Sequence, residues 1–535
     1  MHAPLAFALL LIVAHTTLAL WPLPNGLSNG TEVLRLSSEF SIVLDVDNAP
    51  DDVQEAVNRT LSSIEPDQLI APLVVGRASA DNSSLSTAAD LSALVLSLSD
   101  GAMVPHLTVP SDGSNATLVA NTTLGLLRGL TTFQQLWYAS GDVVYARQTP
   151  VTIIDDSPDY PFRGFMLDTA RNLLKPNISS FPKSDILRTL DAMSFVKLNT
   201  FHWHVVDSQS FPLEVAEFPE LSLYGAYSTQ QIYSTADRGI DVLMEIDTPG
   251  HTAAIAMTYP EYIACYDARP WATYANEPPA GQLRFASDET TNFTASLLAA
   301  AARNLSSSLF STGGDELNTA CYAADSLTQQ ELADKNVTLA EALDAFTQAT
   351  HGALADVGKT PVVWEEMVLD YNLTLSNETI VMVWISSEDA ASVAAKNFRI
   401  VQAPSDYFYL DCGGGGWVGD DPSGNSWCDP FKTWQKAYTF DPLANLTSEQ
   451  TSLVLGGEQC LWTEQSGPEN LDPIVWPRAA VAGEIFWTQS ASLDVDTALP
   501  RLHDLRYRLV QRGVRAIALQ PEWCALRPGA CDLDA

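Results

Sequence analysis

The beginning of the chain combines short strands with helices. Apolar and polar residues alternate in 40–44 and 94–98, as they do in half-buried strands, whereas 51–64 and 124–137 have apolar residues at helical spacing. Two prolines, Pro158 and Pro161, then interrupt the pattern. The sequence therefore predicts a small α+β domain over residues 20–158.

From residue 159 to residue 535 the pattern changes to apolar strands that alternate with amphipathic helices. A helix is expected after Ser184 and another after a capping box of Thr338 and Glu341, and a last helix over 499–511 ends before Gly513. The predicted strands are 164–168, 199–207, 240–247, 305–311, 361–364, 379–384, 399–403 and 452–461. Eight parallel strands separated mostly by helices form a (β/α)8 barrel, so we predict an α/β protein with its TIM barrel in the C-terminal region.

In such a barrel the active site lies at the carboxyl ends of the strands, where polar and aromatic residues should therefore collect. Nearly every predicted strand end carries them. In chain order they are Asp168, Arg171, Asp207, Asp247, His251, Asp315, Glu316, Trp364, Trp384, Tyr409, Asp411, Trp462 and Glu464. Any one of them is as easily a cap or a core residue, but their joint placement indicates a site.

The chemistry of these residues indicates a sugar ligand. Tryptophan faces stack on sugar rings or enclose a methyl group, and arginine and carboxylates bind hydroxyl groups in paired hydrogen bonds. Gly313 and Gly314 let the backbone approach a ligand closely just before the adjacent carboxylates of Asp315 and Glu316. Paired carboxylates favour hydrolysis of a glycosidic bond.

Composition narrows the possible partners. The 535 residues are 46% hydrophobic, enough for two domains, and the formal net charge is −37 although charged residues make up only 17%. This balance argues against nucleic acid or an anionic membrane as a partner and suits an acidic medium.

The N-terminus indicates export. Residues 3–14 are nearly all apolar and Thr17-Leu18-Ala19 follows, which predicts a signal peptide over 1–19. About a dozen N-x-S/T sequons, Asn29 and Asn445 among them, agree with a secreted glycoprotein. No later apolar run is long enough for a membrane helix.

The cysteines fit an oxidising compartment. We expect disulfides between Cys412 and Cys428 and between Cys524 and Cys531, which close short loops, and between Cys265 and Cys321 around the acidic pair. Cys460 is left over in an apolar strand, where an unreactive buried thiol is expected.

Five motifs in order resemble those of family 20 glycoside hydrolases, and within that family the secreted fungal-type β-N-acetylhexosaminidases. The resemblance covers nearly the whole chain after the leader, including the N-terminal domain. The motifs are Arg163-Gly-Phe-Met-Leu-Asp-Thr-Ala-Arg171, Phe201-His-Trp-His-Val-Val-Asp207, Glu245-Ile-Asp-Thr-Pro-Gly-His251, Gly313-Gly-Asp-Glu316 and Gly457-Glu-Gln-Cys-Leu-Trp-Thr-Glu464.

The resemblance implies exo-acting removal of terminal β-linked N-acetylglucosamine or N-acetylgalactosamine without a cofactor. The 2-acetamido oxygen of the substrate would be the nucleophile, giving an oxazolinium-like intermediate and net retention. Glu316 would be the general acid and then the base, Asp315 would orient the acetamido N–H, and Tyr409 would hold the acetamido oxygen.

The resemblance also assigns the binding residues. The tryptophans would enclose the acetyl methyl, and the charged residues would bind sugar hydroxyls, with Asp207 and His251 in support. This set is Trp364, Trp384, Trp462, Arg171, Asp411, Glu464, Asp207 and His251. Glycans or chito-oligosaccharides ending in N-acetylhexosamine are the expected partners, and a homodimer is implied as well.

The sequence departs from the family pattern at two places. Residues 233–238 are too short for the helix that family members carry between the second and third strands, so one barrel helix is missing, whereas 175–181 reads as a short insertion with the sequon Asn177. These departures keep two alternatives open. One is a glycan-binding relative that has lost turnover, and the other is a disaccharide-releasing member of the family.

Other motifs indicate different chemistry. His202 and His204 could supply two ligands to a barrel metal, but of the later histidines only His251 lies at a strand end, so no metal is expected. The G-x-G-x-x-G match over 414–419 and the G-x-S-x-G match over 26–30 lack the helix that each motif requires, and we interpret both as loops.

Overall fold

The computed structural model describes residues 18–99, 105–172, 182–227, 240–533 and 535. The predicted insertion over 175–181 and the short segment over 233–238 lie outside the described residues, as does the predicted leader up to residue 17. The missing barrel helix therefore stays a prediction. Between the second and third barrel strands the structure describes one short helix, Pro219–Gly225.

The N-terminal domain is a six-stranded mixed sheet in the order β1-β2-β4-β3-β6-β5, with β1 also paired to β6. Helices α1 and α3 pack together, and α3 begins where the Thr122 hydroxyl accepts the Gly125 N–H. The elements are β1 (Leu27–Asp45), α1 (Asp51–Ser63), α2 (Asn82–Leu85), β2 (Ala89–Leu98), β3 (His106–Val109), β4 (Ala116–Ala120), α3 (Thr123–Gln135), β5 (Trp137–Ser140) and β6 (Val143–Ile153).

The C-terminal region is a closed barrel of eight parallel strands, as predicted. Its strands are almost wholly buried, because side chains fill the barrel interior and helices cover the outside. In chain order the strands are β7 (Phe162–Asp168), β8 (Thr200–Val206), β9 (Asp241–Ile246), β12 (Leu309–Ser311), β13 (Thr360–Trp364), β14 (Ile380–Val383), β15 (Arg399–Gln402) and β16 (Val454–Leu461).

Helices and a two-stranded ribbon connect the barrel strands. The ribbon is β10 (Ile263–Ala264) with β11 (Gln282–Leu283). The helices are α4 (Lys183–Phe195), α5 (Pro219–Gly225), α6 (Trp271–Tyr274), α7 (Asp288–Arg303), α8 (Thr319–Ala324), α9 (Ser326–Lys335), α10 (Leu339–Asp356), α11 (Glu366–Leu369), α12 (Asp389–Ala395), α13 (Ser405–Phe408), α14 (Trp434–Tyr438), α15 (Leu471–Val475), α16 (Ala480–Ile485), α17 (Val495–Gln511) and α18 (Glu522–Ala525).

Local signals account for most element boundaries. The predicted capping box of Thr338 and Glu341 is present at the start of α10. Two barrel boundaries differ from prediction by four residues. Strand β12 begins only at Leu309, because residues 305–308 form the turn that leaves α7, and α17 begins at Val495, because Asp494 caps it.

Three disulfides join Cys265 to Cys321, Cys412 to Cys428 and Cys524 to Cys531, while Cys460 is a buried thiol in β16. The second disulfide closes a glycine-rich loop after β15. Within the described part of the chain, every helix is too short or too polar to span a lipid bilayer.

The segment around Trp21 lies between the two domains. The Trp21 backbone N–H donates to the Gln135 side chain of the N-terminal domain (2.7 Å), and its indole N–H donates to the Ala480 carbonyl of the barrel (2.8 Å). Beside it, Arg501 contacts both carboxylate oxygens of Glu484 at 2.5 and 3.1 Å, and Arg501 and Glu484 are at most 2% exposed. The join between the domains thus contains a buried ion pair.

We expect Glu484→Gln to destabilise the protein by about 3 kcal/mol, because it leaves the buried Arg501 guanidinium without its counter-charge. A lower midpoint of thermal unfolding would show this. The control is Glu217→Gln, since Glu217 pairs with Arg303 at the surface and an exposed pair contributes about 0.5 kcal/mol. Equal shifts in the two variants would contradict the prediction.

Candidate active site

The predicted residues converge at the carboxyl ends of the barrel strands. Two glycines shape the turn after β12, since a Cβ on Gly313 would lie 2.0 Å from the Asp247 carboxylate and one on Gly314 would lie 2.3 Å from Met367. Both glycines have positive φ, and so does Glu316 at 55°. The Gly314 N–H donates to Asp247 (2.7 Å), which presses the turn against β9.

Asp247 and Asp315 form a buried carboxyl pair. Asp247 Oδ2 and Asp315 Oδ1 have no other hydrogen-bond partner among the described residues. Burial, and then the neighbouring Asp315, raise the pKa of Asp247 well above its usual range, so Asp247 holds the proton and bonds to Asp315. Burial also raises the pKa of Asp315, while His251 and the bond from Asp247 oppose that rise. Asp315 is therefore the member of the pair that carries the charge.

His251 connects this pair to Asp207. Its Nε2 lies 3.3 Å from Glu316 and 3.8 Å from Asp315, and its Nδ1 lies 3.2 Å from Asp207. Burial alone would lower the pKa of His251, but Asp207, Glu316 and Asp315 raise it well above its usual range. A cationic imidazole thus stands beside Glu316, whose side chain remains 30% exposed to the pocket mouth.

Aromatic rings cluster at the ends of the later barrel strands. Trp462 lies 6.2 Å from Trp364 and 6.3 Å from Tyr409, and Tyr409 stacks with Trp384 at 6.2 Å and an interplanar angle of 12°. The Trp384 indole donates to Glu366 (2.9 Å) and the Trp364 indole to Glu245 (3.4 Å). The rings are therefore held in fixed orientations, and Trp364, Tyr409 and Trp462 are buried.

Arg171 occupies another side of the site, where carboxylates surround it. Its guanidinium nitrogens lie 3.0 Å from Asp207, 3.3 Å from Asp168, 3.5 Å from Glu464 and 2.7 Å from Glu277. Its guanidinium also lies over the Trp462 ring at 4.6 Å. Burial opposes the charge of Arg171, but these carboxylates raise its pKa well above the usual range.

Asp411 and Glu464 are the remaining predicted binding residues. Asp411 accepts the Trp462 backbone N–H (3.4 Å), and burial raises its pKa to about 7. Burial likewise raises the pKa of Glu464 well above its usual range, although Arg171 opposes that rise. Both carboxyls can therefore exchange between donor and acceptor roles toward a hydroxyl group at mildly acidic pH.

Sequence reasoning missed two residues of the site, Glu277 and Trp427. Glu277 lies between α6 and β11 and accepts from Arg171 and from the Gln209 amide (2.7 and 2.9 Å). Trp427 lies on the loop closed by the Cys412–Cys428 disulfide and is 64% exposed. Its ring meets Trp384 at 5.4 Å and Tyr409 at 5.8 Å, edge to face in both cases.

Glu365 holds the backbone at Trp384 in place. Its Oε1 accepts the backbone N–H groups of Trp384 (3.3 Å) and Ile385 (2.7 Å), while its Oε2 has no partner among the described residues. The Glu365 side chain also lines a cavity of about 290 Å³. Glu366 and Asp389 line the same cavity. Burial, with a contribution from Asp389, raises the pKa of Glu365 to about 9. Glu365 is therefore a neutral carboxyl at neutral pH.

We expect Glu365→Gln to leave the fold intact and to change how stability depends on pH. The stabilisation from neutral Glu365 is present below its unfolded pKa of 4.5 and is lost as pH rises toward its folded value of about 9. Because Gln does not titrate, the variant should unfold a few degrees above the parent at pH 8 and near it at pH 5. Thermal scans at both pH values test this, with exposed Glu388→Gln as the control, and a difference that does not depend on pH would refute it.

Comparison with known proteins agrees with the geometry. A model of the glycosyl hydrolase family 20 catalytic domain matches residues 160–490, and a model described as beta-acetyl hexosaminidase like matches residues 20–136. A beta-hexosaminidase of Arthroderma benhamiae is 36% identical over 453 residues, which cover 79% of this chain and 73% of that protein. A chitooligosaccharidolytic beta-N-acetylglucosaminidase of Ostrinia furnacalis is 33% identical, covering 96% of this chain and 89% of that protein.

Solved structures share the fold at low sequence identity. An exo beta-N-acetylglucosaminidase of Vibrio harveyi, solved in complex with N-acetylglucosamine, superposes with a TM-score of 0.73 at 21% identity and covers 94% of this chain and 78% of that one. A beta-N-acetylhexosaminidase of Streptomyces coelicolor A3(2) gives a TM-score of 0.70 at 22% identity, with 94% and 98% coverage.

Proposed function

The chain belongs to glycosyl hydrolase family 20, and we propose that it is a β-N-acetylhexosaminidase that removes terminal, non-reducing β-linked N-acetylhexosamine. One observation carries the proposal. Asp315 and Glu316 lie at the same end of the barrel as a cluster of tryptophans, with cationic His251 next to Glu316. An acid next to an apolar pocket of this kind suits a sugar that bears an acetamido group.

The reaction needs no nucleophile from the protein. The acetamido carbonyl oxygen of the substrate forms a bond to the anomeric carbon while the bond from that carbon to the leaving oxygen breaks and Glu316 gives its proton to that oxygen. Water then attacks the same carbon, Glu316 takes the proton of the water, and the ring of the oxazolinium-like intermediate opens. The two inversions give net retention of configuration.

Asp315 and Tyr409 serve the acetamido group. The buried carboxylate of Asp315 accepts the acetamido N–H and stabilises the positive charge that develops there, and Asp247 keeps it in place from behind. Burial raises the pKa of Tyr409 well above its usual range, so its hydroxyl stays protonated and donates to the acetamido oxygen. The rings of Trp364, Trp384 and Trp462 enclose the methyl group.

Arg171, Asp411 and Glu464 bind the sugar hydroxyls, and Glu277 joins them. The contacts of Arg171 with Glu277 and Glu464 support this assignment, because together they present donors and acceptors side by side at the mouth of the site. Hydroxyl groups bound at this end of the pocket belong to the terminal residue of a glycan, which accounts for exo-action.

We expect Glu316→Gln to lower kcat on 4-nitrophenyl N-acetyl-β-glucosaminide by about 10²–10⁴-fold, because the amide cannot protonate the leaving oxygen. Asp315→Asn should lower it by about 10²–10³-fold, since the charge that balances the intermediate is lost. Initial rates of phenol release measure both, and exposed Glu388→Gln is the control.

Two results of the same assay would overturn the proposal. A well-folded parent chain that binds N-acetylglucosamine by calorimetry but releases no phenol would be a glycan-binding relative instead. Release from a disaccharide aryl glycoside together with none from the monosaccharide would identify a disaccharide-releasing enzyme. Comparison of the two chromogenic glycosides therefore separates the three functions.

We further propose that the natural substrates are chito-oligosaccharides and related glycans. The name of the Ostrinia furnacalis relative supports this substrate class, and Trp427 supports it from the structure. Trp427 is 64% exposed and its ring stands nearly perpendicular to those of Trp384 and Tyr409, so an exposed ring beside the site is available to stack on the sugar that follows the cleaved bond.

We expect Trp427→Ala to lower kcat/KM for chitobiose by about 10-fold, the value of one lost stacking contact of roughly 1.4 kcal/mol. N-acetylglucosaminyl fluoride, whose leaving group has no ring, should be affected much less. The control is Trp523→Ala, because Trp523 is 55% exposed on α18 and contacts Arg527. A similar loss on both substrates would show that Trp427 does not bind the second sugar.

Export and a homodimer complete the proposed setting. The three disulfides support an oxidising compartment, and the sequons and the apolar N-terminus agree with secretion. The homodimer rests on the family resemblance alone.

A further inference from the structure

The His202-Trp203-His204 motif of β8 has no part in the chemistry above, and its two imidazoles point into the barrel. His202 Nδ1 lies 2.7 Å from Glu458 and its Nε2 lies 3.1 Å from Glu245. His204 Nδ1 lies 2.6 Å from Glu245 and its Nε2 lies 2.7 Å from Asp207. Each of the four ring nitrogens therefore faces a carboxylate, and His202 and His204 are at most 1% exposed.

Glu245 is the fixed point of this network. Besides the two imidazoles it accepts the Ser311 hydroxyl (2.5 Å) and the Trp364 indole (3.4 Å). Burial opposes the charge of Glu245, but His202 and His204 lower its pKa to well below the usual range. Burial likewise opposes the charge of His204, but Asp207 and Glu245 raise its pKa well above the usual range. His204 is therefore a cation that donates from both nitrogens.

Asp207 connects His204 to His251, which lies beside Glu316. Its Oδ2 accepts from His204 (2.7 Å) and forms an ion pair with Arg171 (3.0 Å), and its Oδ1 accepts from His251 and from the Ser208 N–H (3.2 and 2.5 Å). Three hydrogen bonds and this ion pair leave the carboxylate one orientation. That orientation aims His251 Nε2 at Glu316, so His204 lies two residues along the hydrogen-bond chain from His251.

We propose that His204 is a positioning residue for the catalytic acid: anchored by Glu245, it donates from Nε2 to Asp207 and so keeps His251 against Glu316. This inference rests on the proposed function. As the bond to the leaving oxygen breaks, the Glu316 proton moves to that oxygen and Glu316 becomes a carboxylate, which the Nε2–H of His251 then meets. A His251 that is free to turn would leave that new charge uncompensated.

The side chains around His204 define the experiment. They are Glu245, Asp207 and the Trp462 ring at 4.9 Å, with Arg171 on the far side of Asp207. In His204→Gln the amide N–H can take the place of Nε2–H and keep the bond to Asp207. In His204→Asn the amide N–H takes the place of Nδ1–H and keeps only the bond to Glu245.

We expect His204→Asn to lower kcat/KM on chitobiose by about 10²-fold, because the acid is misplaced, and His204→Gln to restore most of that loss. On the 2,4-dinitrophenyl glycoside, whose phenol leaves without protonation, kcat/KM of both variants should stay within about 3-fold of the parent, because kcat/KM reports the steps up to departure of the phenol and not the later attack of water. The ratio of kcat/KM on the two substrates in one sample does not depend on how much of the variant is folded. A merely structural role would leave that ratio unchanged.

The control is His351→Gln. His351 is a partly buried histidine of α10 that bonds to Thr312 (3.1 Å), outside the chain from Glu245 to Glu316. In this variant the ratio of kcat/KM on chitobiose to kcat/KM on the 2,4-dinitrophenyl glycoside should equal that of the parent. Equal losses on both substrates in His204→Asn, or no loss on either, would overturn the positioning role. A parent that hydrolyses neither substrate would refute the proposed function instead, so the two failures are distinguishable.

Discussion

The structure depends on the compensation of charges buried at the carboxyl end of the barrel. Asp207 accepts from His204 and His251 and pairs with Arg171, and Glu245 accepts from His202 and His204. Carboxylates and cations alternate, and in such a row the loss of one member leaves its neighbours as unpaired buried charges, each costing several kcal/mol. The same alternation fixes the side-chain orientations within the row, and through His251 it also orients the group that faces Glu316.

The pocket carboxyls follow a different rule, because most of them have no cation of their own. Burial raises the pKa of Asp247 well above the usual range and that of Glu366 to about 8, while that of Asp411 rises to about 7. Asp315 keeps its charge because neutral Asp247 can donate to it. A neutral acid beside a charged one is the arrangement that lets adjacent carboxyls take different roles.

Strand periodicity was sufficient to predict the barrel and most of the polar and aromatic residues at the carboxyl ends of its strands, because the carboxyl end of each strand is a position defined by the pattern itself. Glu277 and Trp427 were not predicted because they lie inside long loops, where no hydrophobic periodicity indicates which residues face the site. The pairing of Cys412 with Cys428 placed the loop near the site but could not show that the Trp427 ring meets Trp384. The environment of His202 and His204 could not be predicted from the sequence pattern either. Two histidines at alternate positions of a strand can bind a metal or pair with carboxylates, and only the structure shows that Glu245 of β9 and Glu458 of β16 lie beside them.

The two groups of carboxyls respond to pH in opposite directions. Groups with raised pKa values, such as Glu365, Glu366 and Asp411, stabilise the fold at low pH, and their contribution is lost as pH rises through values of about 7 to 9. Asp207 and Glu245, whose pKa values lie well below the usual range, contribute above their unfolded values and lose that contribution only in strong acid. Between these limits the alternating row stays charged while Glu365, Glu366 and Asp411 stay neutral. Mildly acidic solution is thus the range in which the charged row and these neutral carboxyls coexist, and there the net charge of −37 at pH 7 is reduced, so the chain repels itself less.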